Sequence, residues 1–484
     1  YIKKLYIGIS VLGLLSGISY ANNSDNGDVK RTLKGNMNEK YHILPKSVNS
    51  LGDSFRNGTV YGRLRVNNFY WDWDTETSKS KDNKSTGIGG SLIYKTAPFN
   101  GFSSTIGLYT TQNPEFNRED RTDVGFLKAG KDTLNRNDIK NGDGHYGMSV
   151  LGQAYLQYNQ DKVNVKVGRQ LFHSYFTKSN DTKMIPNTFD GISIENKQLS
   201  KTTLKLAYFT GQKLRDHSSS HDILAFDSWN ENDDSAINKS LTVDLIGDNN
   251  NLIIASATIN KIANLIVNGS LASVPDVLNI AELEAKYKIK LDNGITVIPS
   301  FRVVKQFDEL NTDQDVANLK GKVAGYKDST SLESDAKMMK VDIKKGAGQV
   351  RVGWSKIADK ADMIAPWRGF VTGGYTRAMA QYNWYANTET FMVRGDYDFH
   401  KAGLIDGVKG LIRYAIQDFD DKKPGVQADT KVIHIDIIKT LNENLFMKVR
   451  TAIVNADDNI KDINGDTKSD VSYKEYRLEF NYLF

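Results

Sequence analysis

Eight arginines share one feature: each lies on the polar side of a segment in which polar and apolar residues alternate. They are Arg63, Arg65, Arg302, Arg351, Arg394, Arg413, Arg450 and Arg477. Guanidinium groups bind carboxylates through parallel hydrogen bonds, so a row of them would attract carboxylate-bearing solutes and pass them along. The alternative is that they only fill polar positions and pair with nearby acids. The candidate partners are Glu282, Glu284, Asp396, Asp398, Asp436, Glu475 and Glu479.

The sequence gives only weak evidence for a catalytic or metal-binding site. The chain has no cysteine, which excludes disulfides and thiolate chemistry. His217 and His221 are four residues apart but lie in a serine-rich stretch without a helical pattern. Residues 462–470 resemble part of a calcium loop, yet glycine is missing at the sixth position and glutamate at the twelfth. We predict a non-enzymatic protein without a cofactor or metal, and leave calcium in this last loop open.

The arginines lie on strands, of which the final segment, residues 471–484, is the clearest. Alternation places two different sets of side chains on its two faces. The apolar face carries Tyr476, Leu478, Phe480, Tyr482 and Phe484, and the polar face carries Glu475, Arg477, Glu479 and Asn481. About ten residues of this pattern with an aromatic end are typical of a transmembrane β-strand. The alternative, a strand of a soluble sandwich, loses support because the pattern recurs upstream.

The repeated pattern predicts an all-β protein, a transmembrane antiparallel barrel of about 18 strands with a water-filled lumen. All long loops of such a barrel should lie at one end, so only two of the next three apolar runs can be wall strands. The runs are residues 241–246, 252–259 and 265–271. A turn at residues 247–250 favours the first two runs. Residues 375–385 also look strand-like, but counting them as a strand would give an odd number of strands and put the C-terminus on the wrong side, so we assign them to a loop.

The first predicted strand covers residues 60–67. The aromatic residues at 69–73 follow it directly. Aromatic side chains collect where barrel strands leave the bilayer. We therefore expect residues 69–73 to mark the membrane boundary at that end of the strand.

The N-terminus predicts export. Lys3 and Lys4 precede an apolar run, and Ser19-Tyr20-Ala21 forms a small-residue cleavage site, so residues 1–21 read as a signal peptide. An N-terminal membrane anchor is the alternative. Residues 22–58 are then a periplasmic lead-in and residues 59–484 a single barrel domain in the outer membrane of a Gram-negative bacterium. The net charge of +5 over 484 residues is too small to indicate nucleic-acid binding.

Two stretches resemble the OprD-like outer-membrane porins, particularly those of ε-proteobacteria. They are residues 167–170 (VGRQ) together with 184–191 (MIPNTFDG), and residues 366–377 (PWRGFVTGGYTR). The resemblance extends from about Val60 to Phe484. It implies an 18-stranded barrel, monomeric or trimeric, whose third extracellular loop folds inward and narrows the pore opposite the wall arginines.

Residues 171–188 match that constriction loop in position and in the Pro-Asn-Thr-Phe-Asp-Gly sequence at its exit. The resemblance therefore implies five constriction residues: Tyr175, Lys178, Asp181, Lys183 and Pro186. Lys183 stands where family members often carry arginine, so the charge is kept and the bidentate geometry is not.

These patterns predict a porin for passive diffusion of small hydrophilic solutes, either general or favouring carboxylate-bearing nutrients. A surface adhesin or a structural outer-membrane protein is the alternative. The expected partners are outer-membrane lipid and lipopolysaccharide, the solutes themselves, further copies of the chain, and the barrel-assembly machinery, which would read the terminal Phe484.

Overall fold

A computed structural model describes residues 31–33, 39–41, 45–142, 144–226, 237–379 and 381–484. The predicted signal peptide, residues 1–21, and part of the predicted lead-in lie outside these residues. Within the described part of the chain, no helix is both long enough and apolar enough to cross a membrane. Ahead of the barrel lie a short two-stranded sheet, Arg31–Leu33 with Glu39–Tyr41, and one helix, α1, Leu51–Arg56.

Eighteen antiparallel strands of the described residues close into one barrel, which confirms the predicted fold class. Their bounds are β1 Thr59–Trp73, β2 Asn83–Lys95, β3 Phe102–Gln112, β4 Gly147–Gln160, β5 Val163–Gln170, β6 Thr188–Asn196, β7 Thr202–Lys213, β8 Leu252–Ile259, β9 Leu265–Val274, β10 Leu278–Tyr287, β11 Thr296–Asp308, β12 Ser334–Lys345, β13 Gly348–Ile357, β14 Glu389–Asp398, β15 Val408–Asp418, β16 Thr430–Thr440, β17 Leu445–Ala456 and β18 Tyr473–Leu483. Strand β10 continues in the two-residue segment Ile289–Lys290. Strand β18 pairs with β1, with Tyr476 opposite Tyr70, and this pairing closes the barrel.

The final strand shows the predicted alternation. Glu475, Glu479 and Asn481 point to the interior and are buried, whereas Tyr476 and Leu478 point outward and are exposed. The outward face meets lipid and the inward face lines the lumen, as an outer-membrane barrel requires. The prediction made from this segment is confirmed.

The long loops follow odd-numbered strands and therefore lie at one end of the barrel, which in outer-membrane barrels is the extracellular end. Five of them, numbered as extracellular loops, are L2 (113–146), L3 (171–187), L4 (214–251), L6 (309–333) and L7 (358–388). They contain two further helices, α2 Arg136–Asn141 in L2 and α3 Val243–Ile246 in L4, and three 3-10 helices in L2, Glu115–Asn117, Val124–Phe126 and Ala129–Thr133.

The strand preference for residues 241–246 is wrong, because the run forms helix α3 and the two wall strands are β8 and β9. Strand β8 pairs directly with β7, with Leu252 opposite Phe209, so no open sheet edge remains for the earlier run. Its apolar residue Leu241 is instead buried beneath the loops. The assignment of residues 375–385 to a loop is confirmed, since its described residues lie in L7.

The expected aromatic boundary at residues 69–73 is largely wrong. Strand β1 continues to Trp73, so alternation turns Phe69 and Trp71 toward the interior, where both are buried. Trp71 stacks on Tyr473 with their ring centres 3.9 Å apart. Only Tyr70 is exposed on the outer face, where it stacks loosely on Tyr476.

Candidate functional site: a basic constriction in the lumen

Loop L3 folds into the lumen and is fixed to strand β1 by a buried ion cluster. Arg63 and Arg65 both pair with Asp181, and Arg65 Nη1 lies 2.8 Å from its Oδ1. Arg65 Nε also donates to Glu479 Oε1 of β18 at 2.7 Å. All four side chains are almost fully buried. Because a buried ion pair is costly to break from one side, this cluster anchors the loop; we call it the clamp.

The other side of L3 is joined to L7 by backbone pairing. Thr177 forms an antiparallel bridge with Arg368. The Lys178 amide donates to the Trp367 carbonyl at 3.0 Å, and the Gly369 amide donates to the Phe176 carbonyl at 2.7 Å. A Cβ atom at Gly369 would overlap the backbone of L3, so only glycine permits this approach.

Loops L2 and L4 hold the base of L3. Lys183 Nζ lies 3.3 Å from Asp132 in L2, and Arg215 Nε of L4 lies 2.8 Å from the same carboxylate. The Pro186 carbonyl accepts a hydrogen bond of 3.1 Å from Lys213 Nζ. The predicted constriction residues Asp181, Lys183 and Pro186 therefore all have partners that hold L3 in place.

Burial changes the charge of two L3 lysines near neutral pH. It lowers the pKa of Lys183 to about 7; Asp132 opposes this shift, and Arg477 and Arg215 add to it. Burial likewise lowers the pKa of Lys178 to about 8, with Lys205 and Arg302 acting in the same direction. Both lysines thus gain or lose a proton within the physiological range.

These loops and the wall enclose a lumen cavity of about 1110 Å³. Among the residues that the structure describes, the charged groups around it are strongly unequal in sign. Thirteen are basic: Lys128, Lys131, Arg136, Lys178, Lys183, Lys205, Arg215, Arg302, Arg368, Arg377, Arg413, Arg450 and Arg477. Two are acidic, Glu282 and Glu284. Such a lining attracts anions.

Most of the predicted wall arginines have a carboxylate partner. Besides Arg63 and Arg65, five do so, in the pairs Arg302 with Glu282 and Glu284, Arg351 with Asp342, Arg394 with Asp396, Arg450 with Asp436, and Arg477 with Glu475. Arg302 also lies between two aromatic rings, 4.7 Å from the ring centre of Tyr175 and 4.5 Å from that of Tyr375. The Tyr175 hydroxyl in turn donates to the Val371 carbonyl of L7 at 3.0 Å.

Two cavity arginines differ from the rest. Within the described residues, neither Arg377 of L7 nor Arg413 of β15 has a carboxylate at ion-pair distance. Arg413 Nη1 donates to the Arg377 carbonyl at 2.9 Å, and the Arg377 guanidinium lies 3.8 Å from the ring centre of Phe370. Burial, reinforced by Arg215, Arg450 and Arg368, lowers the pKa of Arg377 to about 10, so this group stays charged at neutral pH.

The sequence-predicted site residues thus fall into two groups, those that line the lumen cavity and those that do not. Arg302, Arg413, Arg450, Arg477, Tyr175, Lys178 and Lys183 line the cavity, whereas Arg63, Arg65, Arg351, Arg394, Asp181 and Pro186 do not. Sequence reasoning missed the loop cations, above all Arg215, Arg368 and Arg377, because strand alternation says nothing about loops. Arg368 and Arg377 lie within residues 366–377, the stretch that resembles the porin family, and this resemblance is the sequence feature that could have identified them.

The weak metal candidates are not assembled into a site. His217 Nδ1 and His221 Nε2 lie 2.9 Å apart in L4. Asp462 accepts hydrogen bonds from the backbone amides of Asn464 and Asp466. Across the described ranges, no group of three or more histidine, aspartate and glutamate side chains is arranged to hold a metal ion.

A closed β-barrel with a charged lumen narrowed by an inward loop is the architecture of an outer-membrane porin. The chain belongs to the OprD family: the family described as "outer membrane porin, OprD family" matches residues 123–482. Porins of this kind are non-enzymatic channels through which small solutes diffuse passively across the outer membrane of Gram-negative bacteria. A search of curated proteins finds no match.

Solved structures show the same fold at low sequence identity. Pseudomonas aeruginosa OccK9 (OpdG) has a TM-score of 0.65 and 16% identity, covering 89% of this chain and 99% of that chain. Acinetobacter baumannii OccAB3 has a TM-score of 0.65 and 14% identity, with coverages of 88% and 99%. P. aeruginosa OpdK, solved with vanillate, has a TM-score of 0.63 and 14% identity, with coverages of 88% and 98%.

Proposed function

We propose that this porin favours small carboxylate-bearing anions, and that Arg377 and Arg413 contribute most to the preference. The observation that carries the proposal is the lumen cavity, around which the described part of the chain places thirteen basic and two acidic side chains. Paired arginines are already neutralised by their own carboxylates. Arg377 and Arg413 have no such partner among the described residues and are free to meet a solute.

Electrostatics in a narrow lumen favour this assignment. Two unit charges 4 Å apart interact by about 1 kcal/mol in bulk water and by about 4 kcal/mol at an effective dielectric constant of 20. An unpaired guanidinium in a constriction therefore separates anions from cations by a substantial factor. It also presents parallel donors that fit a carboxylate better than a spherical anion.

The constriction residues have two roles in this proposal. Lys178 and Lys183 add titratable positive charge at the cavity, and Tyr175 holds the Arg302 guanidinium in place through its ring. Asp181 and Pro186 keep L3 folded inward. The OpdK structure with vanillate, an aromatic carboxylate, supports carboxylates as a ligand class for this fold.

Solute flux tests the proposal. The purified protein is placed in liposomes, and swelling is measured in benzoate, in gluconate and in an uncharged sugar of similar size. We expect R377Q/R413Q to reduce carboxylate flux several-fold while sugar flux changes little. The matched control R394Q/D396N neutralises a pair that does not line the cavity. Equal carboxylate flux in wild type and R377Q/R413Q would exclude the proposed role.

The route to the membrane is part of the same proposal. Residues 1–21 act as the signal peptide, residues 22–58 lie in the periplasm, and the assembly machinery reads Phe484. The Phe484 amide donates to the Gly62 carbonyl at 3.0 Å, so this residue also lies at the seam that closes the barrel. Deleting Phe484 should leave export intact and make the protein accumulate in the periplasm, measured by fractionation. Normal amounts of heat-modifiable barrel in the outer membrane would contradict this.

A further inference from the structure

The segment ahead of the barrel, residues 45–58, presents an exposed apolar face. Its helix α1 begins after Ser50, whose Oγ accepts a hydrogen bond of 3.1 Å from the Asp53 amide. Leu51 and Phe55 are four residues apart and so share one face of the helix. Their exposed fractions are 62% and 56%, values that are unfavourable in water for side chains of this size.

This helix is fastened to the first periplasmic turn. The Ala97 amide donates to the Ser54 carbonyl at 2.9 Å, and the Val48 amide donates to the Pro98 carbonyl at 2.9 Å. The Tyr94 hydroxyl donates to the Phe55 carbonyl. Helix α1 is therefore a fixed part of the barrel rim.

Strand alternation shows on which side of the wall the helix lies. In β2, Leu92 is exposed on the outer face and Ile93 is buried inside, so Tyr94 points outward toward lipid. A Cβ atom at Gly58 would overlap the ring of this tyrosine, so the chain passes directly over it. The C-terminal end of α1 therefore adjoins the lipid-facing wall.

A groove of about 750 Å³ lies on that wall, across β1, β2, β3, β4, β17 and β18. Its apolar lining includes Leu64, Leu92, Leu108, Phe480 and Tyr482. Opposite Leu64 lies Gly90, which also lines the groove and has no side chain to fill it. A Cβ atom there would overlap the Arg63 carbonyl, and its φ of +149° also favours glycine.

We propose that helix α1 and this groove together bind one phospholipid of the periplasmic leaflet, with acyl chain in the groove and headgroup beside the helix. Val60, which is 57% exposed, lies on the same face of β1 as the groove residue Leu64 and directly follows the helix segment. Phe102 and Tyr158, whose ring centres are 4.9 Å apart, form an aromatic pair toward the periplasmic ends of β3 and β4, where aromatic residues of outer-membrane barrels meet the membrane interface.

The charge at the helix suits a phosphate. The Arg56 side chain is 82% exposed and only loosely paired with Asp53, at 3.7 Å. Lys46 is also exposed on the same segment. A guanidinium and an ammonium group on this exposed segment can bind the phosphate of a lipid whose chain enters the groove.

Native mass spectrometry of the full chain in mild detergent, with added phosphatidylglycerol or phosphatidylethanolamine, tests the proposal. We expect one phospholipid per chain on the wild type. Leu64→Trp fills the groove and L51S/F55S removes the apolar face of α1, so each should lower retention at least tenfold. The matched controls are Ile412→Trp on the outer wall of β15 and Leu404→Ser in another periplasmic turn, both at exposed apolar positions. Both should retain the lipid.

Heat-modifiability and channel conductance are measured on every variant, so that a loss of lipid is read only from correctly folded barrels. If L64W does not fold, L51S/F55S alone decides the result. Equal retention by wild type and the folded groove or helix variants would overturn the proposal. The proposal would also be overturned if the wild type were an oligomer that L64W dissociates without loss of lipid. That result would mean that a second copy of the chain occupies the groove.

Discussion

Two groups of arginines face the same lumen and behave differently. In the clamp, Arg63 and Arg65 share Asp181, Arg65 also pairs with Glu479, and all four side chains are buried. At the cavity, Arg377 and Arg413 have no carboxylate partner among the described residues. The comparison shows that an inward arginine holds the structure or meets the solute according to whether a carboxylate lies within reach.

The physical reason is charge compensation. A buried guanidinium without a partner is costly, so the clamp arginines remain buried because L3 supplies Asp181 and β18 supplies Glu479. A guanidinium beside an open cavity keeps part of its hydration and tolerates the absence of a partner. The clamp therefore determines the position of L3, and the unpaired arginines determine the field in the opening that L3 leaves.

Removing part of L3 should have the largest effect on the channel. Deletion of residues 174–181 removes Asp181 and the residues that pair with L7, so the lumen opens. We expect single-channel conductance in planar bilayers to rise several-fold. A deletion that left conductance unchanged would show that L3 does not limit the pore.

Breaking the clamp alone should have the next largest effect. In D181N, Arg63 and Arg65 lose their shared countercharge, at a cost of about 3–5 kcal/mol for a buried pair broken from one side. We expect higher conductance with frequent fluctuations, and a lower unfolding temperature of the barrel. D396N, which breaks the half-buried pair with Arg394, is the control and should change both quantities less. Identical behaviour of the two variants would remove the distinction between clamp and wall.

The strand arginines could be singled out from the sequence because alternation is a local property of a strand. Their partners were not predictable. Asp181 reaches β1 only because L3 crosses the lumen, and that contact joins residues far apart in the chain. Residues 241–246 show the same limit: the run is apolar enough for a strand, but the pairing of β7 with β8 leaves it no neighbour.

A smaller effect is expected for the charge-conserving change R377K. The positive charge stays, so the selectivity between chloride and potassium should remain within about twofold of wild type. The flat pair of donors is lost, and carboxylate flux in liposome swelling should fall more than chloride conductance. An equal decrease in both would mean that Arg377 acts only as a point charge.

The pH dependence should be the mildest effect. The lowered pKa values of Lys183, about 7, and Lys178, about 8, mean that both lysines are cationic at pH 6 and largely neutral at pH 9. Anion preference should therefore weaken as pH rises through this window, measured by reversal potential. The double variant K178M/K183M should lose this dependence, whereas R377Q/R413Q should keep it. A flat profile in wild type would exclude the lysines as contributors.

The central claim is that unpaired arginines select the solute and paired arginines hold the loop. The most direct test is the reversal potential in a tenfold potassium chloride gradient, compared between R377Q/R413Q and the clamp variant R63Q/D181N. We predict a shift toward cation permeability, by about tenfold in the permeability ratio, in the first variant. The second should keep the wild-type sign of the reversal potential although its conductance changes. Equal shifts in both variants, or none in R377Q/R413Q, would contradict the account.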